Sequence, residues 1–338
     1  MSRSQVMNES KKKDIEDKDE FYTLFQDISD ELGMYKEQLK GKRIICPCDW
    51  DESYETTLVY KEEGFVSSDN LFFDGGTIKR IDIENSKDKV EKDLSLVKCN
   101  FIKYLVSHGE DLGIKSVSVS GYNPKTLQGI RFQDIDYSNY DLVITNPPFS
   151  QFREFIETMF KFKVKFLIIG PTNSLSYKDV FTHFRNNEMW LGYHHHMTGF
   201  IRPDGTVLPK NHSIPRWCCW VTNLDVNYRH DKLILTEEYS ENKYPKYCNY
   251  DGIDVKSVEE IPYDYYGNMG VPITFLQKYN PEQFEILGTS RMLGEFIPSD
   301  VPKNLKGGMR FYLKDEEGNY KCLFEKMVIR RRDKKNDY

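Results

Sequence analysis

The strongest constraint on the fold is an alternation of apolar strands and an amphipathic helix in the middle of the chain. The run YDLVIT at residues 140–145 is apolar enough for a buried strand, and residues 152–162 have the spacing of a one-sided helix. A second apolar run, VKFLIIG, follows at residues 164–170. Strand, helix and strand in this order predict a mostly parallel sheet with helices on both faces, which is an α/β fold.

The same alternation extends over much of the chain. Further strands are predicted at residues 42–49, 115–120, 189–193 and 216–223, and further helices at residues 19–40, 100–112 and 177–187. Residues 1–16 indicate a polar tail, and the charge-rich residues 50–98 indicate an irregular insertion. Tyr-, Asn- and Gly-rich segments replace the alternation from about residue 227. We therefore expect a catalytic domain at residues 17–226 and a less regular region at residues 227–338.

Charge and composition limit the classes of partner. The net charge of −6 argues against a small DNA-binding module, but a large enzyme can confine its positive charge to one cleft. Residues 326–335 hold six basic residues against one acid, and within them Arg330, Arg331 and Arg332 are candidates for contact with a DNA backbone. A solvated charge run is the alternative. No apolar run could span a membrane, and no signal peptide or regular cysteine framework is present, so we expect a cytoplasmic protein.

The sharpest motif is Asn146-Pro147-Pro148-Phe149, directly after the strand at residues 140–145. The exocyclic amine of adenine is a poor nucleophile because its lone pair is delocalised into the ring. Two acceptors for its hydrogens would favour a tetrahedral nitrogen and stabilise the charge that develops. The Asn146 side chain and the Pro147 carbonyl can supply them. Pro147 and Pro148 restrict the backbone, and Phe149 offers a face on which a base can stack.

This motif has a plainer interpretation, a rigid turn after a strand. The apolar strand before it, the aromatic residue within it and the helix after it favour catalysis instead. A base inside a duplex cannot reach such a pocket, so the target must be flipped out of the helix.

At this point the chain resembles a known family, the N6-adenine DNA methyltransferases, and within it the EcoRI-type adenine-specific group. Three further segments carry the resemblance: DEFYT at residues 19–23, CPCD at residues 46–49 and RWCCWVTN at residues 216–223. It covers most of residues 17–225 and continues more loosely through residues 261–288. The resemblance implies a Rossmann-like methyltransferase sheet, followed by a C-terminal target-recognition region.

The resemblance also implies S-adenosylmethionine as methyl donor. It assigns the methionine end of the donor to three consecutive residues, Phe21, Tyr22 and Thr23. It assigns further donor contacts to the loop after the first strand, at Cys46, Pro47 and Asp49. Asp134, in the sequence FQDID, would meet the adenine of the donor. The loop CPCDWD replaces the usual Gly-rich turn, and the donor has no phosphate that would require one. The residue that holds the ribose stays unassigned.

The implied function is methylation of adenine N6 in duplex DNA by a prokaryotic or phage-encoded monomer, without a metal and with a restriction endonuclease as a conceivable partner. Three alternatives stay open: an N-methyltransferase that acts on RNA, one that acts on protein glutamine, and an inactive DNA-binding module. The tract His194-His195-His196 could bind a metal, but it has no accompanying carboxylate pattern in the sequence. A polar loop near the active edge is the favoured interpretation.

Overall fold

The computed structural model describes residues 21–50, 61–63, 78–83, 94–123, 128–202, 204–294, 296–306 and 310–332. They form a mixed α/β protein with two compact units. One unit comprises residues 1–175 and 191–224, and the other comprises residues 176–190 and 225–338. The predicted tail at residues 1–16 and parts of the predicted insertion at residues 50–98 lie outside the described residues.

The first unit contains an eight-stranded mixed sheet, apart from Trp190 at the start of its edge strand. Its strands, in chain order, are β2 (Arg43–Cys46), β3 (Lys61–Glu63), β4 (Ile78–Asp82), β5 (Ser116–Val119), β8 (Leu142–Thr145), β9 (Lys165–Pro171), β10 (Trp190–Leu191) and β13 (Cys218–Thr222). The order across the sheet is β10-β13-β9-β8-β2-β5-β4-β3. The central strands β5, β2, β8 and β9 are parallel, and the pairs β9–β13, β4–β5 and β3–β4 are antiparallel. The carboxyl ends of the four central strands therefore share one edge.

Short elements complete this unit. The strands are β1 (Tyr22–Thr23), β6 (Tyr122–Asn123), β7 (Gln128–Gly129), β11 (Gly199–Ile201) and β12 (Val207–Pro209), and the helices are α1 (Phe25–Gly33), α2 (Lys36–Leu39), α3 (Asn100–Ser107), α4 (Phe152–Phe162) and α6 (Ser213–Arg216). Strands β1, β11 and β12 form a separate antiparallel sheet. None of the described helices is long and apolar enough to cross a bilayer.

Helix α4 shows how sequence and packing agree. Phe152, Phe155, Ile156 and Met159 recur on one face and are fully buried, so the helix lies on the sheet through this stripe. Burial of each large side chain stabilises the fold by about 1.5–3 kcal/mol. A Cβ on Gly170 of β9 would meet the Phe152 ring at 2.4 Å, so the close approach of helix and strand requires glycine there.

An ion pair at the opposite edge fixes the alignment of β2 with β8. Arg43 donates from Nε and Nη2 to the Asp141 carboxylate at 3.1 and 3.0 Å, and its backbone N–H donates to the same group at 2.8 Å. These bonds hold the pKa of Asp141 below its usual value. A slip by one residue would break all three contacts and move the loops at the carboxyl ends out of register.

Two predictions about this unit are wrong. The predicted helix at residues 19–40 begins only at Phe25, because Tyr22 and Thr23 pair with Ile201 and Phe200 as a strand. The region at residues 50–98 is not wholly irregular: β3 and β4 add two antiparallel strands to the sheet beside β5. Local sequence does not reveal the β1 pairing, because its partner β11 lies about 180 residues further along the chain, and β4 joins the sheet through β5, which is separated from it by helix α3.

The second unit has its own smaller sheet. Its elements are α5 (Lys178–Arg185), β14 (Ile253–Asp254), β15 (Met269–Pro272), β16 (Phe284–Thr289), α7 (Ser290–Leu293), β17 (Tyr312–Lys314), β18 (Tyr320–Cys322) and β19 (Lys326–Arg331). The order is β14-β15-β19-β16, with β17–β18 as a separate hairpin. Helix α5 packs against β16. A buried ion pair, Lys326 Nζ to Asp254 Oδ1 at 2.9 Å, ties β19 to β14.

Candidate active site

The loop that follows β2 lies against the end of β5. The backbone N–H groups of Asp49 and Trp50 both donate to the Ser120 carbonyl, at 3.0 and 3.1 Å. Ser120 in turn donates its own N–H to the Cys46 carbonyl at 3.1 Å. The loop CPCD and the residue after β5 therefore form one surface at the carboxyl edge, where ligands bind in parallel sheets.

The Asp49 carboxylate links three elements at this edge. One oxygen accepts from the Thr145 hydroxyl at 2.5 Å and the other accepts from the Cys99 thiol at 3.2 Å. Burial raises the pKa of Asp49 to about 6, although the bonds from Thr145 and Cys99 favour the charged form. Asp49 therefore fixes the end of β8, immediately before Asn146, to the loop after β2 and to the start of α3.

Asn146 is held by a residue 125 positions away. Its Nδ2 donates to the Phe21 carbonyl at 2.8 Å. A carbonyl only accepts, so this bond determines which end of the amide carries the oxygen. The oxygen, Oδ1, is buried and has no hydrogen-bond partner among the described residues. A buried polar atom without a partner costs about 1–3 kcal/mol, which makes this oxygen a candidate acceptor for a ligand.

Three aromatic rings pack together, and one of them belongs to Phe21, whose backbone carbonyl binds the Asn146 amide. Phe21 stacks on Phe149, with centroids 6.0 Å apart and an interplanar angle of 29°. Phe200 of β11 lies 5.7 Å from Phe21 and 6.3 Å from Phe149. Phe200 is fully buried whereas Phe149 is half-buried, so Phe149 has ring surface left to contact a ligand. The result is an apolar cluster that includes Phe21, the residue that binds the Asn146 amide.

Thr23 presents a second unsatisfied group. Its backbone carbonyl accepts from Asn100 Nδ2 at 2.8 Å, which ties β1 to α3. Its hydroxyl is buried and has no partner within the part of the chain that the structure describes, and the same holds for the Ser120 hydroxyl. Buried hydroxyls without partners occur on both β1 and the end of β5, as expected of a polar ligand site.

The family model for the adenine-specific methyltransferase EcoRI matches residues 8–61 and 134–332, which is more than half of the chain. The chain belongs to this family. The type II methyltransferase M.EcoRI of Escherichia coli is 39% identical to it over 287 residues, or 80% of this chain and 85% of the relative. M.MpnI of Mycoplasma pneumoniae is 27% identical over 308 residues, or 79% of this chain and 81% of the relative. No solved structure matches. The protein is thus an adenine-specific methyltransferase.

The structure brings together some of the site residues that the sequence predicts for this methyltransferase. Phe21 contacts both Asn146 and Phe149, and Asp49 reaches Thr145. Cys46 and Pro47 are buried, so their side chains face the core and the loop offers its backbone instead. Pro147 is buried too, while Tyr22 and Pro148 are half-buried.

Asp134 has a different environment. It ends the 3-10 turn Phe132–Asp134, and its carboxylate accepts from Arg131 Nε at 2.8 Å and Nη2 at 3.3 Å. The turn follows Ile130, whose N–H donates to the Gly121 carbonyl at 2.9 Å. Asp134 thus lies on a segment anchored just beyond β5, with its charge engaged by Arg131.

The three candidate DNA-contacting arginines each have an intramolecular partner. Arg330 donates to Asn268 Oδ1 at 2.7 Å, and Arg332 donates from Nε to the Phe284 carbonyl at 3.0 Å. Arg331 stacks over Tyr266, at 4.8 Å from the ring centroid. Alternation along a strand places Arg331 on the face opposite to Arg330 and Arg332. The arginines therefore do not form one continuous basic surface.

Sequence reasoning missed Phe200, Ser120 and Asn100 as contributors to the site. Phe200 follows the tract at residues 194–196 and comes near Phe21 only through the pairing of β11 with β1. Ser120 could have been noticed, because it ends the predicted strand at residues 115–120, where a ligand-binding group was expected. The tract itself has a carboxylate partner that the sequence does not reveal: His194 Nδ1 lies 2.8 Å from Glu31 Oε2.

Proposed function

We propose that this methyltransferase transfers the methyl group of S-adenosylmethionine to N6 of an adenine flipped out of duplex DNA. The observation that carries the proposal is the buried Asn146 Oδ1, which has no partner among the described residues while the same amide donates to Phe21. An amide oxygen held in this way can accept one N6 hydrogen without first giving up another bond. Both named relatives are type II methyltransferases, which supports DNA as the substrate.

The motif supplies the rest of the base site. The Pro147 carbonyl is the second acceptor, so that both N6 hydrogens are engaged and the nitrogen lone pair is directed away from the ring. Phe149 stacks on the flipped base, which contributes about 1–3 kcal/mol. Phe21 and Phe200 support Phe149 from behind and exclude water from the nitrogen.

The residues at the carboxyl edge fit the methyl donor. The donor carries an ammonium, a carboxylate, ribose hydroxyls and an adenine, and the buried hydroxyls of Thr23 and Ser120 offer hydrogen bonds to such groups. Phe21, Tyr22 and Thr23 would hold its methionine end, and the loop at Cys46, Pro47 and Asp49 would line its middle. Asp134 would meet its adenine. When bound, the donor supplies a methyl group activated by a sulfonium.

Ser120 is the residue we assign to the ribose, which the sequence left open. Its hydroxyl ends β5, the strand next to β2, and it has no partner in the described chain. A hydroxyl can both donate to and accept from a ribose hydroxyl, so it can serve where an acidic residue is absent.

The wider organisation is part of the same proposal. The sheet is of the Rossmann-like methyltransferase type with helices on both faces, residues 17–226 are catalytic and residues 227–338 select the DNA sequence. Arg330, Arg331 and Arg332 contribute charge toward the DNA backbone. The enzyme acts as a monomer in the cytoplasm of a prokaryote or of a phage-infected cell, alongside a restriction endonuclease where one is encoded.

The test is methyl transfer from labelled S-adenosylmethionine to unmethylated duplex DNA, followed by nucleoside analysis of the product. We expect N6-methyladenine at one short sequence and no further transfer after saturation. Label in RNA or in protein glutamine, with none in DNA, would overturn the substrate. Donor binding without transfer to any duplex would indicate an inactive DNA-binding protein.

A further inference from the structure

Two buried carboxylates on α1 contact the segment that leads into β11. Asp27 and Glu31 lie one helical turn apart, so they share a face, and they are 5% and 0% exposed. Buried carboxylates are costly unless several donors satisfy them. Here the donors come from residues 193–199, more than 160 positions away in the chain.

Glu31 binds the start of that segment. Oε1 accepts from the Tyr193 N–H at 2.9 Å and from the Tyr35 hydroxyl at 2.9 Å. Oε2 accepts from the His194 N–H at 2.8 Å and lies 2.8 Å from His194 Nδ1. A Cβ on Gly192 would come within 2.1 Å of Oε1, so the chain passes the carboxylate as closely as glycine allows.

Asp27 binds the end of the segment. Its two oxygens accept from the Thr198 N–H at 2.9 Å and from the Thr198 hydroxyl at 2.7 Å. Burial raises the pKa of Asp27, and the bonds from Thr198 oppose that rise. The next residue, Gly199, begins β11, so this carboxylate determines where the strand starts.

The strand pair that follows is too short to determine its own register. Only Tyr22–Ile201 and Thr23–Phe200 pair between β1 and β11. A slip of one residue would turn Phe200 away from Phe21 and Phe149, because side chains alternate along a strand. Helix α1 begins two residues after Thr23, so one rigid helix is attached to β1 through the chain and to β11 through its carboxylates.

We propose that Glu31 and Asp27 are positioning residues that hold residues 193–199 in the register that places Phe200 behind Phe149 at the target base. The inference rests on the proposed function, because it assigns these carboxylates to the pocket of the flipped adenine. Neither touches the reacting atoms. They act through Phe200. The tract at residues 194–196 connects the residues bound by Glu31 to those bound by Asp27, and it does not serve as a set of metal ligands.

Glu31→Gln is the informative variant. It keeps the size of the side chain, but one oxygen becomes an NH₂ group. In one orientation of the amide the NH₂ group faces the Tyr193 N–H, and in the other it faces the His194 N–H. A backbone N–H can only donate, so each orientation leaves two donors facing each other. The matched control is Tyr35→Phe, which removes one donor from the same carboxylate and leaves every bond to residues 193–199 in place.

The experiment measures kcat for DNA methylation, the donor dissociation constant and the circular dichroism spectrum of each full-length variant. We expect Glu31→Gln to lose about 100-fold in kcat, the scale of a displacement near 1 Å in an active site. Its donor affinity should change little, because Asn100 and Asn146 hold β1 independently. Tyr35→Phe should retain wild-type kcat.

A folded Glu31→Gln enzyme with wild-type kcat, or an equal loss in Tyr35→Phe, would overturn the proposal. Should Glu31→Gln not fold, Thr198→Val tests the Asp27 contact alone, since it removes one hydroxyl from an exposed side chain. An unchanged kcat in Thr198→Val would then reject the positioning role of Asp27, and a reduced kcat at unchanged donor affinity would support it. A wild-type enzyme that methylates no DNA would instead overturn the proposed function.

Discussion

Asn146→Ala separates catalysis from stability, because one atom of the amide supports the fold and the other is the proposed acceptor for the substrate. In the folded ground state the substitution removes one hydrogen bond, from Nδ2 to the Phe21 carbonyl at 2.8 Å. Such a bond contributes about 0.5–1.5 kcal/mol. The other amide atom, Oδ1, has no partner in the described chain, so its removal costs the fold nothing. We therefore expect a loss of about 1 kcal/mol in the free energy of unfolding.

The loss in the transition state should be larger. Removal of one preorganised partner of a developing charge lowers kcat by about 10²–10³, or about 2.7–4 kcal/mol. Asn223→Ala is the matched control. Asn223 accepts from the Phe166 N–H at 2.8 Å and donates to the Val164 carbonyl at 3.2 Å, at the amino end of β9 and far from the carboxyl edge. It should destabilise by about 1–3 kcal/mol, because a buried N–H loses its acceptor, and leave kcat unchanged.

Initial rates of label transfer to duplex DNA and urea unfolding curves, measured on both variants, give the comparison. The expected orders are opposite: Asn146→Ala is the less active variant, and Asn223→Ala is the less stable one. A kcat for Asn146→Ala within about tenfold of wild type would refute the argument, since it would place the lost contact outside the transition state.

Four further outcomes are expected. Because burial raises the pKa of Asp49 from 3.8 to about 6, the folded protein holds more protons than the unfolded chain between these values, and the contribution of Asp49 to stability falls as pH rises through them. The free energy of unfolding of Asp49→Asn relative to wild type should accordingly increase between pH 4.5 and 7 in urea titrations, and a constant difference would contradict this. Replacement of Arg330, Arg331 and Arg332 by glutamine should weaken binding to all DNA sequences alike. It should lower the slope of log K against log salt by about two rather than three, because Arg330 and Arg332 are exposed whereas Arg331 is half-buried against Tyr266. Methyl transfer should continue in EDTA, because the sulfonium provides its own leaving group; a loss of activity restored by one metal would disprove this. Truncation after residue 226 should give an aggregation-prone chain, because it removes β16 and exposes the buried Val180, Phe181 and Phe184 of α5. A truncated chain that is folded and active would contradict the assignment of residues 227–338 to DNA recognition.

The sequence by itself determined the features that depend on local chemistry. The short apolar run before Asn146 favours a buried strand, and the two prolines and Phe149 after it define the motif without reference to the rest of the chain. The stripe of Phe152, Phe155 and Met159 likewise predicts α4, because its period is set within eleven residues. The family resemblance rests on such segments.

The tertiary structure alone decided how those segments become a site. The amide of Asn146 is oriented by its bond to the Phe21 carbonyl, 125 positions away, and its oxygen has no partner among the described residues; local sequence reveals neither fact. Phe200 comes near Phe21 through the pairing of β11 with β1, and Glu31 and Asp27 bind residues 193–199 just before that strand. Local sequence patterns indicate which face of a helix or strand is buried. The partner of a buried polar atom depends instead on contacts between distant segments, and such contacts exist only once the chain has folded.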